Sequence, residues 1–328
     1  MTLAGSRQPR WHVLVPTRGT PDAVRRVHRN IASRLPESSV TLILNPPETS
    51  EDAEDGRLIA AELGIAALVC RGGGASRARN AGVESASGPL LVFLDDDVVV
   101  TAEAIETLVS TMERTGAAVG TARVIPADMT APTTALWQRY LGFDRGPTTQ
   151  VWGGGGAAKV LSPFGVWAFG VGAAFALNMP LLAGSDGGPR FDERLSNGCR
   201  CGGTEDVDFF YAVHTRGLGL VYVADAVVQH LFPSDLRELR AKCRQYALAD
   251  GAFYAKWMRR ASAGDLAAEL AGWLRRVRLH WRLSLVGEAA VPLRTLLAEP
   301  MYKLLGVVDW NLRRLSPCSP RTRCPAPH

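Results

Sequence analysis

The stretch Leu90-Leu-Val-Phe-Leu-Asp95-Asp96-Asp97 decides the fold. Its apolar run reads as a buried strand, and the strand delivers three carboxylates straight into a loop. Three adjacent like charges repel unless water or a cation offsets them, and alternation of side chains lets Asp95 and Asp97 share one side. Hard oxygen ligands of this kind suit Mg²⁺ or Mn²⁺, which bridge readily to phosphate oxygens. The competing reading is an acidic approach to the helix that begins at Ala102, and it is the weaker one for acids at the end of a core strand.

The same strand-to-loop pattern recurs upstream. Apolar runs at Trp11 to Val15, Val40 to Leu44, Ala66 to Cys70 and Leu90 to Leu94 alternate with helical stretches at Pro21 to Ser33, Glu51 to Leu63, Ser76 to Ser87 and Ala102 to Thr115. Such alternation predicts a mainly parallel sheet covered on both faces, with ligands beyond the carboxyl ends of the strands. The loops expected there hold Pro16-Thr17-Arg18, Asn45, Arg71 to Asn80, and Asp95 to Asp97. Between Ile125 and Gly156 the periodicity fades and Gly, Pro and Thr accumulate, which predicts a long irregular insertion. Order is expected again at Gly172 to Leu177, in a helix from Thr204 to Arg216, and in apolar runs at Leu220 to Val223 and Val227 to Val228. From Asp235 to about Leu315 the chain reads as helical.

Three further segments offer chemistry. Arg71-Gly-Gly-Gly-Ala-Ser-Arg77-Ala-Arg79-Asn80 joins a glycine loop, three arginines and a helix start, all suited to an anion, although it lacks the Lys-Ser/Thr ending of a P-loop. Gly203-Thr204-Glu205-Asp206-Val-Asp208 puts acids in the first turn of a helix that Thr204 can cap. Capping alone accounts for those acids, and so does a carboxylate placed to deprotonate a hydroxyl. His230 ends an apolar run, where a metal ligand, a base and a hydrogen-bonded core imidazole are all open, the last being the default. Cys199-Arg-Cys201 with Cys70 or His214 does not have the paired spacing of a zinc knuckle.

Composition adds bounds. The chain has 328 residues, 47% of them hydrophobic, and a net charge of +5. It is long enough for one large domain plus an appendage. The charge is uneven: residues 237–328 carry 17 Lys and Arg against 7 Asp and Glu, while residues 1–236 carry 20 against 25. A basic C-terminal part is compatible with an anionic membrane surface, a phosphate-bearing lipid or a nucleic acid, and equally with a solvated helical face. Trp273, Trp281 and Trp310 lie among Arg275, Arg276, Arg278, Arg282, Arg313 and Arg314, a mixture found at interfaces. Residues 1–10 lack the apolar core of a secretory signal, and six scattered cysteines suit a reducing compartment, so a cytoplasmic location is expected. Val160 to Ser185 has no charged residue, but Pro163, Gly165, Gly170, Gly172, Asn178 and Pro180 interrupt it, which favours a buried loop and strand over a membrane span.

In order and spacing these segments resemble glycosyltransferase family 2, inverting enzymes with the GT-A fold. The resemblance runs from about Val13 to His230 and is carried by Val15-Pro-Thr-Arg18, Ser76-Arg-Ala-Arg-Asn-Ala-Gly-Val83, Gly88-Pro-Leu-Leu-Val-Phe-Leu-Asp-Asp-Asp97, Gly172-Ala-Ala-Phe-Ala-Leu177, Arg190-Phe-Asp-Glu-Arg-Leu195 and Gly203-Thr-Glu-Asp-Val-Asp-Phe209. It implies an α/β GT-A domain over residues 11–234, between a flexible N-terminus (1–10) and a basic helical extension (235–315) with a disordered tail (316–328). It implies that Pro16, Thr17 and Arg18 line the nucleotide pocket, with Arg79 near the base or diphosphate. Asp95 then faces the ribose or a metal-bound water, and Asp96 and Glu205 stand beside them on the nucleotide-sugar side, Asp96 chiefly as a structural residue. Asp97 and His230 become ligands to Mn²⁺ or Mg²⁺, and Asp206 the general base. Asn45 occupies a position that is often acidic in the family and serves the nucleotide base.

The expected partners are a nucleoside-diphosphate sugar and a hydroxyl-bearing acceptor (a glycan, a lipid-linked or a natural-product intermediate), with peripheral membrane contact through the basic helices and no nucleic acid. The Gln-X-X-Arg-Trp signature of processive synthases is absent, Gln245-Tyr-Ala-Leu-Ala being the nearest stretch, so a single transfer per encounter is expected. The alternatives are a sugar-phosphate nucleotidyltransferase, whose Gly-rich first loop is replaced here by Pro16-Thr-Arg-Gly-Thr-Pro21, and a catalytically silent membrane- or polyanion-binding scaffold.

Overall fold

The computed structural model describes residues 10–315 apart from 37–38, 48–51, 87, 129, 131, 141, 155–159, 185–187, 189, 198, 233–234 and 289. The expectations for residues 1–9, for the tail 316–328 and for the last residues of the stretch Ile125 to Gly156 lie outside the described residues.

Among the described residues, nine strands form one sheet. In chain order they are β1 (Trp11–Thr17), β2 (Val40–Leu44), β3 (Ala66–Val69), β4 (Leu90–Leu94), β5 (Val98–Val99), β6 (Val119–Pro126), β7 (Gln150–Trp152), β8 (Ala174–Asn178) and β9 (Leu220–His230). The helices are α1 (Pro21–Asn30), α2 (Asp52–Glu62), α3 (Ala75–Ser85), α4 (Ala102–Thr115), α5 (Pro132–Tyr140), α6 (Met179–Ala183), α7 (Glu205–His214), α8 (Leu236–Trp257), α9 (Ala263–Leu285) and α10 (Leu293–Leu315). Strands run β3-β2-β1-β4-β8-β6-β9-β5, and β7 joins β9. The first four are mutually parallel, as are β6 and β9, while β8 runs antiparallel to both β4 and β6.

The parallel part follows from strands buried on both faces: every residue of β4 is buried, and β1 and β2 are nearly so. Helix starts follow local chemistry. Thr20 and Thr101 accept from the backbone of Ala23 and Ala104, and Ser262 forms a reciprocal capping box with Asp265.

The expected irregular stretch 125–156 proves to be more ordered. It contains the end of β6, α5 and β7. Helix α5 has a weak pattern of its own, and it is held by burial of Leu136 and Trp137 against Leu239, Cys243, Val291 and Leu296. The charge-poor segment after Val160 folds as a 3-10 turn (Val166–Ala168), β8 and α6, the buried loop and strand anticipated. No helix among the described residues is long and apolar enough to cross a membrane.

Helix α8 packs along α10 with almost no space between the backbones. A Cβ on Gly251 would fall 1.9 Å from the Lys303 carbonyl oxygen, and one on Gly306 would fall 2.0 Å from that of Leu248. Only glycine permits this approach.

Candidate active site

Sheet topology assembles the site. Strand β4 runs directly into Asp95, whose N–H donates at 2.9 Å to the carbonyl of Ala173, the residue before β8. Three residues after Asp95 the short β5 begins, and it pairs antiparallel with the end of β9, Val98 opposite His230. That pairing brings His230 beside Asp97 although 133 positions separate them, with Nε2 3.3 Å from the carboxylate. Ligand atoms of Asp95, Asp97 and His230 all lie within 4.8 Å of one another.

Pro16, Thr17, Arg18, Asn45, Arg79, Asp95, Asp96, Asp97, Glu205, Asp206 and His230 line one cavity of about 1870 Å³. These residues therefore open on the same space, though in differing surroundings, whereas Arg71, Asn80 and Asp208 do not line it. Asp96 is tied down: Thr17 Oγ1 donates to it at 2.6 Å, and Arg26 donates to both its carboxylate and its carbonyl at 2.9 Å. Asn45 donates to the Gly74 carbonyl at 2.6 Å, joining the β2 loop to the glycine loop, while its own carbonyl oxygen is buried without a partner.

Arg79, buried on α3, lies between two acids. One amino group donates to Glu205 at 2.9 Å, and the other donates to Asp95 at 3.2 Å and to the Gly172 carbonyl at 3.4 Å. The guanidinium also sits 5.6 and 5.7 Å from the Phe175 and Phe191 rings. Glu205 spends its second oxygen on the Asn197 N–H, at 3.2 Å. Both oxygens of Glu205 are thus committed.

Asp206, next in the helix, is different. One oxygen accepts from the Gly172 N–H at 2.6 Å, and the residue is half-buried on the cavity wall. The approach is close enough that a Cβ on Gly172 would stand 2.6 Å from Asp206. Thr204 does not cap α7 with its side chain. Its hydroxyl instead donates to the Ala249 carbonyl of α8, at 3.4 Å. Asp208 is held by Lys256 and Trp257 of α8, each donating at 2.8 Å, which pins the first turn of α7 to the C-terminal helices.

Electrostatics favour a cation at the acid cluster. Burial at the cavity floor, beside Asp97 and Asp96, pushes the Asp95 carboxyl up to about 8 despite the pull of Arg79. Burial likewise raises Asp97 and lowers His230, leaving a neutral imidazole with a lone pair to give. Two carboxylates and a neutral imidazole, charge-starved by burial, form a donor set that fits Mn²⁺ or Mg²⁺. His230 is held edge-on to Phe143 and stacked on Phe232 at 4.7 Å.

Sequence reasoning missed part of the site. Arg145 and Lys242 line the same cavity, and neither belongs to a recognisable local pattern. Among the described residues no carboxylate lies within ion-pair distance of Arg18, Arg145 or Lys242. Burial pulls Arg145 down to about 10, so it stays protonated at neutral pH. The α8 to α10 side of the cavity carries a second cluster. Lys303 meets Glu299 at 2.9 Å and Asp250 at 3.5 Å and also bonds Glu269, Arg276 meets Glu299 at 2.6 Å, and Tyr140 donates to Glu299 at 3.1 Å.

A family model described as glycosyltransferase-like family 2 matches residues 3–247. Among solved structures, the mannosyltransferase PcManGT from Pyrobaculum calidifontis, in complex with GDP-Man and Mn²⁺, superposes with a TM-score of 0.56 at 17% identity, covering 95% of this chain and 88% of that one. TarS 1-349 from S. aureus, in complex with UDP-GlcNAc, gives 0.48 at 11% identity over 95% and 93%. Glucosyl-3-phosphoglycerate synthase from Mycobacterium tuberculosis, in complex with Mn²⁺, UDP-Glc and phosphoglyceric acid, gives 0.43 at 14% over 77% and 81%. No curated protein matches the chain in sequence.

Proposed function

The chain belongs to glycosyltransferase-like family 2, and from that premise we propose that it moves a sugar from a nucleoside-diphosphate sugar to an acceptor hydroxyl in a single inverting, non-processive transfer. The observation that carries this reading is the division of labour between neighbouring acids. Glu205 is saturated by Arg79 and Asn197, while Asp206 keeps one oxygen for the cavity that also holds Asp95, Asp97 and His230.

In the proposed step the acceptor oxygen attacks C1 of the sugar and gives its proton to the unengaged oxygen of Asp206. The bond from C1 to the diphosphate oxygen breaks, and the diphosphate leaves with the electron pair. The Gly172 N–H holds the other Asp206 oxygen, so the base keeps its aim. Asp97 and His230, with Asp95 beside them, are the residues to hold Mn²⁺ or Mg²⁺. When bound, such a cation offsets the charge of the leaving diphosphate. The solved mannosyltransferase complex contains GDP-Man and Mn²⁺, in keeping with this assignment. Arg18, Arg145 and Lys242 supply unpaired positive charge for phosphates, and Pro16, Thr17 and Asn45 face the nucleoside.

Residues 11–234 act as the catalytic domain in this reading. Residues 235–315 wall the acceptor side through Tyr246, Asp250 and Tyr254. The test is Asp206→Asn: sugar transfer falls by roughly 10² to 10⁴ while calorimetric donor affinity is retained. Undiminished transfer by that variant overturns the assignment.

A further inference from the structure

Helices α9 and α10 turn Glu269, Arg276, Glu299 and Lys303 inward and leave large apolar side chains outside. On α10, Leu297, Met301, Leu304, Leu305, Val308 and Leu312 are all exposed, Met301 at 53% and Leu304 at 63%. Their spacing of three and four residues puts them on one stripe, about 22 Å long. The opposite face holds Glu299, Lys303 and Trp310, packed inside. Helix α9 repeats the arrangement with Leu266, Leu270, Leu274, Trp281 and Leu285 exposed. The two helices are mutually packed: Trp273 of α9 donates to the Leu296 carbonyl at 2.9 Å, and Arg276 binds Glu299.

An apolar surface of this extent on one side of a protein marks a contact. Its charge identifies the occupant. Beside the α9 stripe stand Arg275, Arg278 and Arg282, and Arg294 opens α10; all four are exposed, and Glu288, paired with Arg139, is the only exposed acid among the described residues 263–312. A second copy of this face would set arginine against arginine with almost no acid to answer it. An anionic lipid surface answers both features, accepting leucines among its acyl chains and guanidinium groups at its headgroups. Next to the α10 stripe, a groove of about 280 Å³ is lined by Leu248, Tyr302, Leu305, Val308 and Leu312, together with Arg244 and the Arg200–Asp309 ion pair (3.8 Å). Its apolar lining suits a lipid chain, and Arg244 offers one positive charge beside it.

We propose that the outer face of α9 and α10 docks this protein onto an anionic membrane surface, lying on the bilayer without crossing it. The tryptophans do not carry the contact as a set. Trp310 is buried and Trp273 is half-buried with its N–H bonded inside, so of the three only Trp281 reaches the surface. The inner faces of the same helices line the catalytic cavity through Glu269, Arg276, Glu299 and Lys303. Resting on the proposed transfer, this placement makes the acceptor a lipid-borne hydroxyl.

The test is vesicle co-sedimentation of the full chain with phosphatidylcholine alone and with an equimolar mixture of phosphatidylcholine and phosphatidylglycerol. Wild type should sediment with the anionic vesicles and release as salt rises. M301E/L304E should lose binding, and R275E/R278E/R282E should weaken it roughly a hundredfold, with thermal melting unchanged for both. Failure of wild type to bind, or equal binding by M301E/L304E, overturns the proposal. So does a wild-type dimer in light scattering that M301E/L304E converts to monomer. Calorimetry of donor nucleotide-sugar with Mn²⁺ in vesicle-free solution keeps the two readings apart: loss of that signal in wild type indicts the transfer, and loss of vesicle binding alone indicts the surface.

Discussion

Replacing Arg79 by methionine probes whether the buried Arg79–Glu205 pair organises the site. The substitution keeps the apolar stem against Phe175 and Phe191 and removes the guanidinium. Glu205, only 4% exposed, is then left with the Asn197 N–H as its partner. Stranding one member of a buried ion pair costs about 3–5 kcal/mol. At about 2 °C per kcal/mol for a chain of this size, the melting temperature should fall by roughly 6–10 °C. R79M/E205Q removes the stranded charge while its amide oxygen still accepts from Asn197. It should recover more than half of the loss, a coupling of at least about 2 kcal/mol. The assay is thermal melting by circular dichroism in metal-free buffer for wild type, both single variants and the double variant. A double variant as unstable as the sum of the singles would refute the reasoning, since Arg79 and Glu205 would then not act as a unit.

The raised Asp95 carboxyl gives a pH dependence of definite sign. Near neutrality the metal-free protein holds a proton there that a divalent cation must displace, so calorimetric Mn²⁺ affinity should rise up to tenfold per pH unit and level off above about 8. The same group opposes metal-free folding increasingly as pH climbs from the ordinary carboxylate range to about 8, so the melting-temperature gain from Mn²⁺ should be larger at the alkaline end; an equal gain throughout argues against Asp95 as the titrating group. Gly172→Ala should displace Asp206, lowering turnover roughly 10- to 100-fold with donor affinity nearly intact, as separate kinetic and calorimetric measurements will read. Arg145→Gln should weaken donor binding roughly tenfold or more with little change in melting temperature, and unchanged binding removes Arg145 from the phosphate set.

Strands β1 to β4 and helices α1 to α4 were legible because each apolar run ends in a polar loop and each helix carries its own punctuation. The acid triplet was legible for the same reason. Strand β6 went unread and α5 fell in a stretch taken as irregular. The α5 pattern is set by packing against α8, and packing leaves no local period. The meeting of His230 with Asp97 depends on β5, a strand of two residues with no pattern to read. Family resemblance supplied that pair before geometry did. Arg145 and Lys242 occupy no motif, and only the shape of the cavity brings them to it. The basic C-terminal segment was visible as charge, but sequence could not say that its leucines face out and most of its tryptophans face in.

The glycines that let α8 and α10 touch have a mechanical consequence. With backbone against backbone at Gly251 and Gly306, α10 cannot roll about its own axis, because any rotation drives a side chain into a carbonyl. The leucine stripe therefore holds a fixed bearing relative to Tyr246 and Asp250, which α8 presents to the cavity. Whatever surface receives α10 sets the compass heading of the catalytic mouth.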